Sequence, residues 1–306
     1  MIKQLLVRGV AFLVSLRPRP RRRQLCWRTI NANGLERRYL LRASDLSAIK
    51  KPLLLCFHGG AARVELLARR SGVSEAGQRQ GFMVVFPEAK DGWIDSRPER
   101  GGSARDLDFI DILIDSLLSR NQIDASRIFA FGISNGGLFV FRLACERPRR
   151  FAGFATALAN MPIAALSVGS GPPVPIAMIF GRSDRVMPWA GGRILRLPEL
   201  GVGGEVVSAQ ATLRFWLKRN RVEQAPQLRH LVSAGRSIDV ADYSAVSGVA
   251  PVRYMVGNWG HRWPLLDRAS SASADTLNPA DLITEFFSGL CLSDKYVNVR
   301  YGGGSA

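Results

Sequence analysis

Short runs of consecutive apolar residues alternate along this chain with longer stretches whose apolar positions recur at helical spacing. Pro52–Phe57 reads PLLLCF, and Phe82–Phe86 reads FMVVF before Pro87 closes it. Arg127–Phe131 runs into Gly132, Pro175–Phe180 (PIAMIF) into Gly181, and Val252–Val256 (VRYMV) into Gly257. Tyr39–Leu41 adds one more strand near the N-terminal side. Between them, Leu107–Arg120 sets Leu107, Ile110, Leu113, Leu117 and Leu118 on one helical face. Strands that are apolar without alternation are buried on both sides, as in parallel sheets covered by helices. The alternation therefore predicts right-handed crossovers and an α/β fold, with a mostly parallel central sheet and helices on both faces. Sheets of that kind bind ligands beyond the carboxyl ends of their strands.

The chain has 306 residues, 47% of them hydrophobic and 22% charged, enough for a large buried core and too apolar for general disorder. A net charge of +17 raises the question of nucleic acid. Residues 1–50 hold twelve Lys and Arg against Glu36 and Asp45, so they carry +10 and the rest only +7. The body is mildly basic, and no nucleic-acid module accompanies the charge, so no nucleic-acid partner is expected. Residues 1–24 read as a basic, flexible tail, 25–292 as one folded α/β domain and 293–306 as a C-terminal tail. Within 1–24, the apolar stretch Leu5–Leu16 is followed by Arg17–Arg23, the reverse of a cleavable signal's order. Apolar residues beside a polybasic patch also fit contact with an anionic membrane. Compartment stays open. Cys26, Cys56, Cys145 and Cys291 show neither C-x-x-C nor metal-ligand spacing, so no metal and no organic cofactor are expected. Cys56, inside an apolar run, reads as a small core hydrophobe.

Gly132-Ile133-Ser134-Asn135-Gly136 fits G-x-S-x-G, directly after one apolar run and before the helical stretch LFVFRLACE. A sharp strand-to-helix turn would present the Ser134 hydroxyl at the sheet's edge, with small neighbours permitting the tight backbone. A serine hydroxyl needs a base, and the base needs an orienting acid. Of the three histidines, His261 lies in the turn GNWGHRWP after the last apolar run, while His230 lacks such a setting. His58 precedes Gly59 and Gly60 after PLLLCF, where a backbone N–H rather than the imidazole would serve catalysis. Asp184, in GRSDRVMP just past PIAMIF, is the candidate acid, preferred to Asp91, Asp106 or Asp108. The order Ser134, Asp184, His261 is that of α/β-hydrolases. An oxyanion hole would draw on the N–H of Asn135 and on the loop holding Gly60 and Ala61. His58, Gly59, Trp93, Trp189 and Trp263 are candidates to line the substrate pocket, and for the three tryptophans an aromatic rim and core packing are both open.

Taken in order, FHGGAA, GQRQGFMVVFPEA, DGWIDS, FGISNGGLFVFRLACERPRRFAGFA, IFGRSDRVMPWAGG and GNWGHRWP resemble the polyhydroxybutyrate depolymerase and feruloyl esterase-like family of α/β-hydrolases. The resemblance runs from about Thr29 to about Phe287. It implies a serine esterase acting through an acyl-enzyme on short hydroxyalkanoate, feruloyl or acetyl esters. By position it matches Ser134 with the nucleophile, Asp184 with the acid, His261 with the base and the HGG loop with the oxyanion element. The chain departs from the pattern at Ala61-Ala62-Arg63, at WIDS, and at Arg262 after His261, which bears on substrate preference. Peptidase or acyltransferase chemistry on the same scaffold is the alternative. More remote is an inactive body whose basic tail binds lipid or nucleic acid. A histidine base also predicts a rate that rises with pH as His261 loses its proton.

Overall fold

The computed structural model describes residues 25–42, 49–60, 64–167, 171–195, 203–233, 236–243, 249–263 and 278–292. Both expected tails, 1–24 and 293–306, lie outside these residues, as does Ala61.

The chain enters through a hairpin of β1 (Leu25–Ala32) and β2 (Leu35–Arg42). Its two-residue turn, Asn33-Gly34, has φ of 52° and 82°, the left-handed geometry that matches the twist of the paired strands. Six parallel strands follow: β3 (Lys51–Phe57), β4 (Met83–Pro87), β5 (Ile123–Ile133), β6 (Gly153–Ala157), β7 (Ile176–Gly181) and β12 (Val252–Gly257). With the antiparallel pair β10 (Gln227–Ser233) and β11 (Arg236–Tyr243), they form one ten-stranded sheet. Its order is β1-β2-β4-β3-β5-β6-β7-β12-β11-β10. A separate two-stranded ribbon joins β8 (Gly192–Arg193) to β9 (Glu205–Val206).

Alternation along β3 shows how the sheet is covered. Leu53, Leu55 and Phe57 enter a core shared with α3 (Arg105–Ser119), α4 (Asn135–Glu146) and α5 (Ala209–Arg219). Leu54 and Cys56 enter a second core with α1 (Val64–Arg70), α2 (Val73–Arg79) and α6 (Pro279–Ser288). Helices therefore lie on both faces, as the apolar runs require. The expected helix over Leu107–Arg120 is α3, which buries Leu107, Ile110, Leu113 and Leu117. Burial also raises the Cys56 thiol well above its ordinary pKa, so this thiol is a packing group.

The strand order 4-3-5-6-7 puts the carboxyl ends of β3, β5, β6, β7 and β12 at one rim of the sheet. Ser134, Asp184 and His261 follow the ends of β5, β7 and β12, and His58, Gly59 and Gly60 follow that of β3.

Candidate active site

Ser134 stands between the end of β5 and the start of α4 with φ 56° and ψ −120°. A non-glycine residue in that region costs on the order of 1–3 kcal/mol and persists only where its surroundings enforce it. Close approach on all sides does so here. A Cβ on Gly132 would stand 2.2 Å from the Gly136 carbonyl oxygen, one on Gly136 2.3 Å from that of Phe57, and one on Gly137 2.6 Å from the Ala159 Cβ. The glycines let α4 fold back against its own strand and against β3. The Ser134 N–H donates to the Ala157 carbonyl (2.9 Å), which ties the turn to the end of β6.

Asp184 lies three residues beyond β7 and is 7% exposed. Its Oδ1 accepts the N–H groups of Val186 (2.9 Å) and Met187 (2.8 Å), which fixes the carboxylate plane. The loop after β12 is held against this one. Arg182 N–H donates to the Gly257 carbonyl (2.9 Å), and Ser183 N–H to the Trp259 carbonyl (3.2 Å). Between these loops, His261 Nδ1 is 2.7 Å from Asp184 Oδ2, and His261 Nε2 is 2.8 Å from Ser134 Oγ. An imidazole that donates from Nδ1 to the carboxylate has Nε2 left to accept the serine proton. The three side chains, separated by up to 127 residues, form one hydrogen-bonded line at the sheet's rim.

Asn135 is the first residue of α4, where backbone N–H groups lack helical partners. Gly59 and Gly60 follow β3 and are half-buried. His58 is 3% exposed: its Nε2 accepts the Ala89 N–H at 3.0 Å, so Nδ1 carries the proton donated to the Gly59 carbonyl at 2.7 Å. Its imidazole joins the β3 and β4 loops. Of the two readings open for Trp93, aromatic rim or core packing, its burial supports the core. It is wholly buried, stacked on Phe139 at 4.9 Å and edge-on to Phe57 at 5.1 Å. Trp189 is half-buried beneath the Arg182 guanidinium, 5.2 Å from its ring. Trp263 leans on Phe131 at 5.6 Å and donates its indole N–H to the Ser71 carbonyl at 2.9 Å, anchoring the histidine loop.

Several site-building residues lie in or beside the segments quoted above without a role read from them: Asp95 is in DGWIDS, and Arg142 is in the stretch that follows Ser134. Asp95 and Arg97, in the segment between β4 and α3, form a buried ion pair whose carboxylate also receives the Asn135 amide. Arg142 of α4, 4% exposed, donates to the carbonyls of Ile94, Gly102 and Ser103 and so clamps the same segment. A cleft of about 670 Å³ has Arg97, Glu99, Ile163, Ala164, Ile194 and Glu205 among its walls. Among the described residues, no group of three His, Cys, Asp or Glu side chains is placed to hold a metal ion.

No family model matches the chain. It is 27% identical over 255 residues to the protein named "Putative esterase NocK" of Nocardia uniformis subsp. tsuyamanensis, covering 78% of this chain and 73% of that one. It is 28% identical over 184 residues to feruloyl esterase D of Neurospora crassa, covering 55% of this chain and 60% of the relative. The acetyl xylan esterase from Aspergillus awamori superimposes with a TM-score of 0.58 at 12% identity, over 86% of this chain and 98% of the other. At that identity the superposition speaks for the fold, and the sequence relatives speak for the chemistry. The chain has the α/β-hydrolase fold and is a carboxylic ester hydrolase, similar in sequence to proteins named as esterases and feruloyl esterases.

Proposed function

We propose that Ser134 is the nucleophile, His261 the general base and acid, and Asp184 the orienting carboxylate of a double-displacement ester hydrolysis. The observation that carries this reading is the hydrogen-bonded line Asp184–His261–Ser134, with contacts of 2.7 and 2.8 Å. Ser134 Oγ attacks the ester carbonyl carbon while its proton passes to His261 Nε2, and Asp184 stabilises the resulting imidazolium. Negative charge collects on the former carbonyl oxygen. The Asn135 N–H and an N–H of the loop holding Gly60 and Ala61 receive it, each worth roughly 3–4 kcal/mol in the transition state. Collapse expels the alcohol, which takes the proton from His261, and leaves an acyl group on Ser134. Water then attacks that acyl carbon, losing a proton to His261, and the acid departs as Ser134 regains its hydrogen. No redox partner enters the balance.

The substrates we assign are short hydroxyalkanoate, feruloyl or acetyl esters. The test is hydrolysis of p-nitrophenyl acetate, p-nitrophenyl butyrate, methyl ferulate and hydroxybutyrate oligomers by the parent and by Ser134→Ala. Loss of turnover in the variant is the expected result, and the preferred ester identifies the class. Equal rates in the two proteins remove Ser134 from the mechanism.

A further inference from the structure

Asp95 touches no part of the hydrogen-bonded line just described, yet it is wholly buried and reaches the residue that follows the nucleophile. A carboxylate taken out of water is costly unless its lone pairs are met by donors and its charge by a cation. Here both conditions are satisfied. Oδ1 accepts the Arg97 backbone N–H (2.9 Å) and the Arg97 Nε–H (2.8 Å), and Oδ2 accepts from Arg97 Nη2 (2.7 Å). Arg97 is itself 3% exposed, so the pair is dry. One further donor meets Oδ2: the Asn135 side-chain amide, at 2.8 Å.

The rest of the Asn135 side chain is equally committed. Its Oδ1 accepts the Trp93 N–H at 2.7 Å, and its Nδ2 also donates to the Trp93 carbonyl at 3.1 Å. Trp93 in turn lies flat on Phe139, one turn further along α4. The first residue of the nucleophile's helix is therefore gripped through its side chain by a segment forty residues earlier. Gripping the side chain fixes the peptide plane of the same residue, and that plane carries the N–H offered to the oxyanion.

We infer that Asp95 is a positioning residue for the ester hydrolysis proposed above: through the Asn135 amide it aims the Asn135 backbone N–H at the oxyanion. The inference rests on that proposal. Arg97 has the complementary part, because an uncompensated carboxylate so close would oppose the negative charge that develops on the substrate oxygen. Oxyanion donors work through fixed direction, so a donor free to swing loses its advantage in the transition state while ground-state binding persists.

The experiment is a double-mutant cycle on p-nitrophenyl acetate with Asp95→Asn, Asn135→Ala and the two combined. Asp95→Asn is expected to lower kcat by about 10- to 100-fold, part of the roughly 10²–10³ that deletion of an oxyanion donor costs, with KM nearly unchanged. Affinity for a boronic acid, which forms a tetrahedral adduct on the serine, should fall with kcat, while that for the product acid stays level. Asn135→Ala leaves the Asp95–Arg97 pair untouched, so it reports on the link even if Asp95→Asn folds poorly. If Asp95 acts through Asn135, the double variant loses no more than about the larger single loss, because the sites are coupled. Single losses that multiply, or a loss confined to KM, overturn the inference. Ser134→Ala separates the two layers: activity surviving that change overturns the triad assignment and this inference with it. Ser134-dependent activity indifferent to both Asp95→Asn and Asn135→Ala overturns the inference alone.

Discussion

Trp259 occupies the space that a side chain on Gly257 would need: a Cβ there would stand 1.8 Å from the indole ring. The same residue brings its carbonyl oxygen to 2.3 Å from where a Cβ on Gly181 would be. Bare backbone at the ends of β7 and β12 thus lets one tryptophan hold the Asp184 and His261 loops together. Gly257→Ala must displace the ring, and with it the turn two residues before His261. A reacting group misplaced by about 1 Å costs on the order of 100-fold in rate. Steady-state kinetics should show that fall in kcat/KM with the far-ultraviolet circular dichroism retained; an undiminished rate would mean that Trp259 does not set the imidazole.

Asp184→Asn separates shape from charge at the carboxylate proposed to orient His261. The amide oxygen can keep the N–H groups of Val186 and Met187, so the turn survives. Its NH2 then faces His261 Nδ1, which must accept, leaving the imidazole proton on Nε2 against Ser134. That is the wrong tautomer for a base. A kcat lower by about 10⁴-fold is expected, with the thermal midpoint close to the parent's. A loss of less than about tenfold would transfer the orienting role elsewhere.

His58 supplies a pH dependence of stability. Burial lowers its pKa below the ordinary 6.5, and its Nε2 is engaged as an acceptor by the Ala89 N–H. As the pH falls past 6.5, the unfolded chain takes up a proton that the folded one resists. Stability is thus full above that pH and declines towards the lower folded pKa, by at most about 1.4 kcal/mol per pH unit from this group. Urea unfolding between pH 7.5 and 5 should show a gentler decline for His58→Gln, whose amide oxygen can replace the acceptor. Parallel declines in the two proteins would count against it.

Tyr254 of β12 packs on Phe180 at 5.3 Å, and burial raises its pKa to about 12. Its buried hydroxyl has no hydrogen-bond partner among the described residues. A buried hydroxyl left unmet opposes folding, and removing it can stabilise the protein. Tyr254→Phe should therefore match or exceed the parent's unfolding free energy, by up to about 1 kcal/mol. Calorimetry showing a clear loss would reveal a partner for that oxygen.

The apolar runs along the chain are legible because burial on both faces leaves a local trace. Six of the strands, β2, β3, β4, β5, β7 and β12, coincide with such runs. β6 reads GFATA and was silent, since small residues suit a central strand pressed by helices on each side; a Cβ on Gly153 would already touch Leu290 at 3.1 Å. The Asn33-Gly34 turn is a readable hairpin signal, but β1, LCWRTINA, breaks its apolar residues with Arg28, Thr29 and Asn31 and does not stand out as an apolar run. Trp93 shows the opposite difficulty. An indole suits a rim as well as a core, and only the ring of Phe139 beneath it decides between them.

What the sequence by itself determined was everything set by near neighbours: the strand-to-helix elbow at Ser134, the alternation of layers, and the short turns bearing Asp184 and His261. Only the tertiary structure decided that Asp184 and His261, 77 residues apart, stand 2.7 Å from each other, and that Asp95 reaches Asn135. Periodicity and turn chemistry are written in adjacent residues. A contact across the rim depends on how several crossovers pack at once, and no single stretch of chain records it.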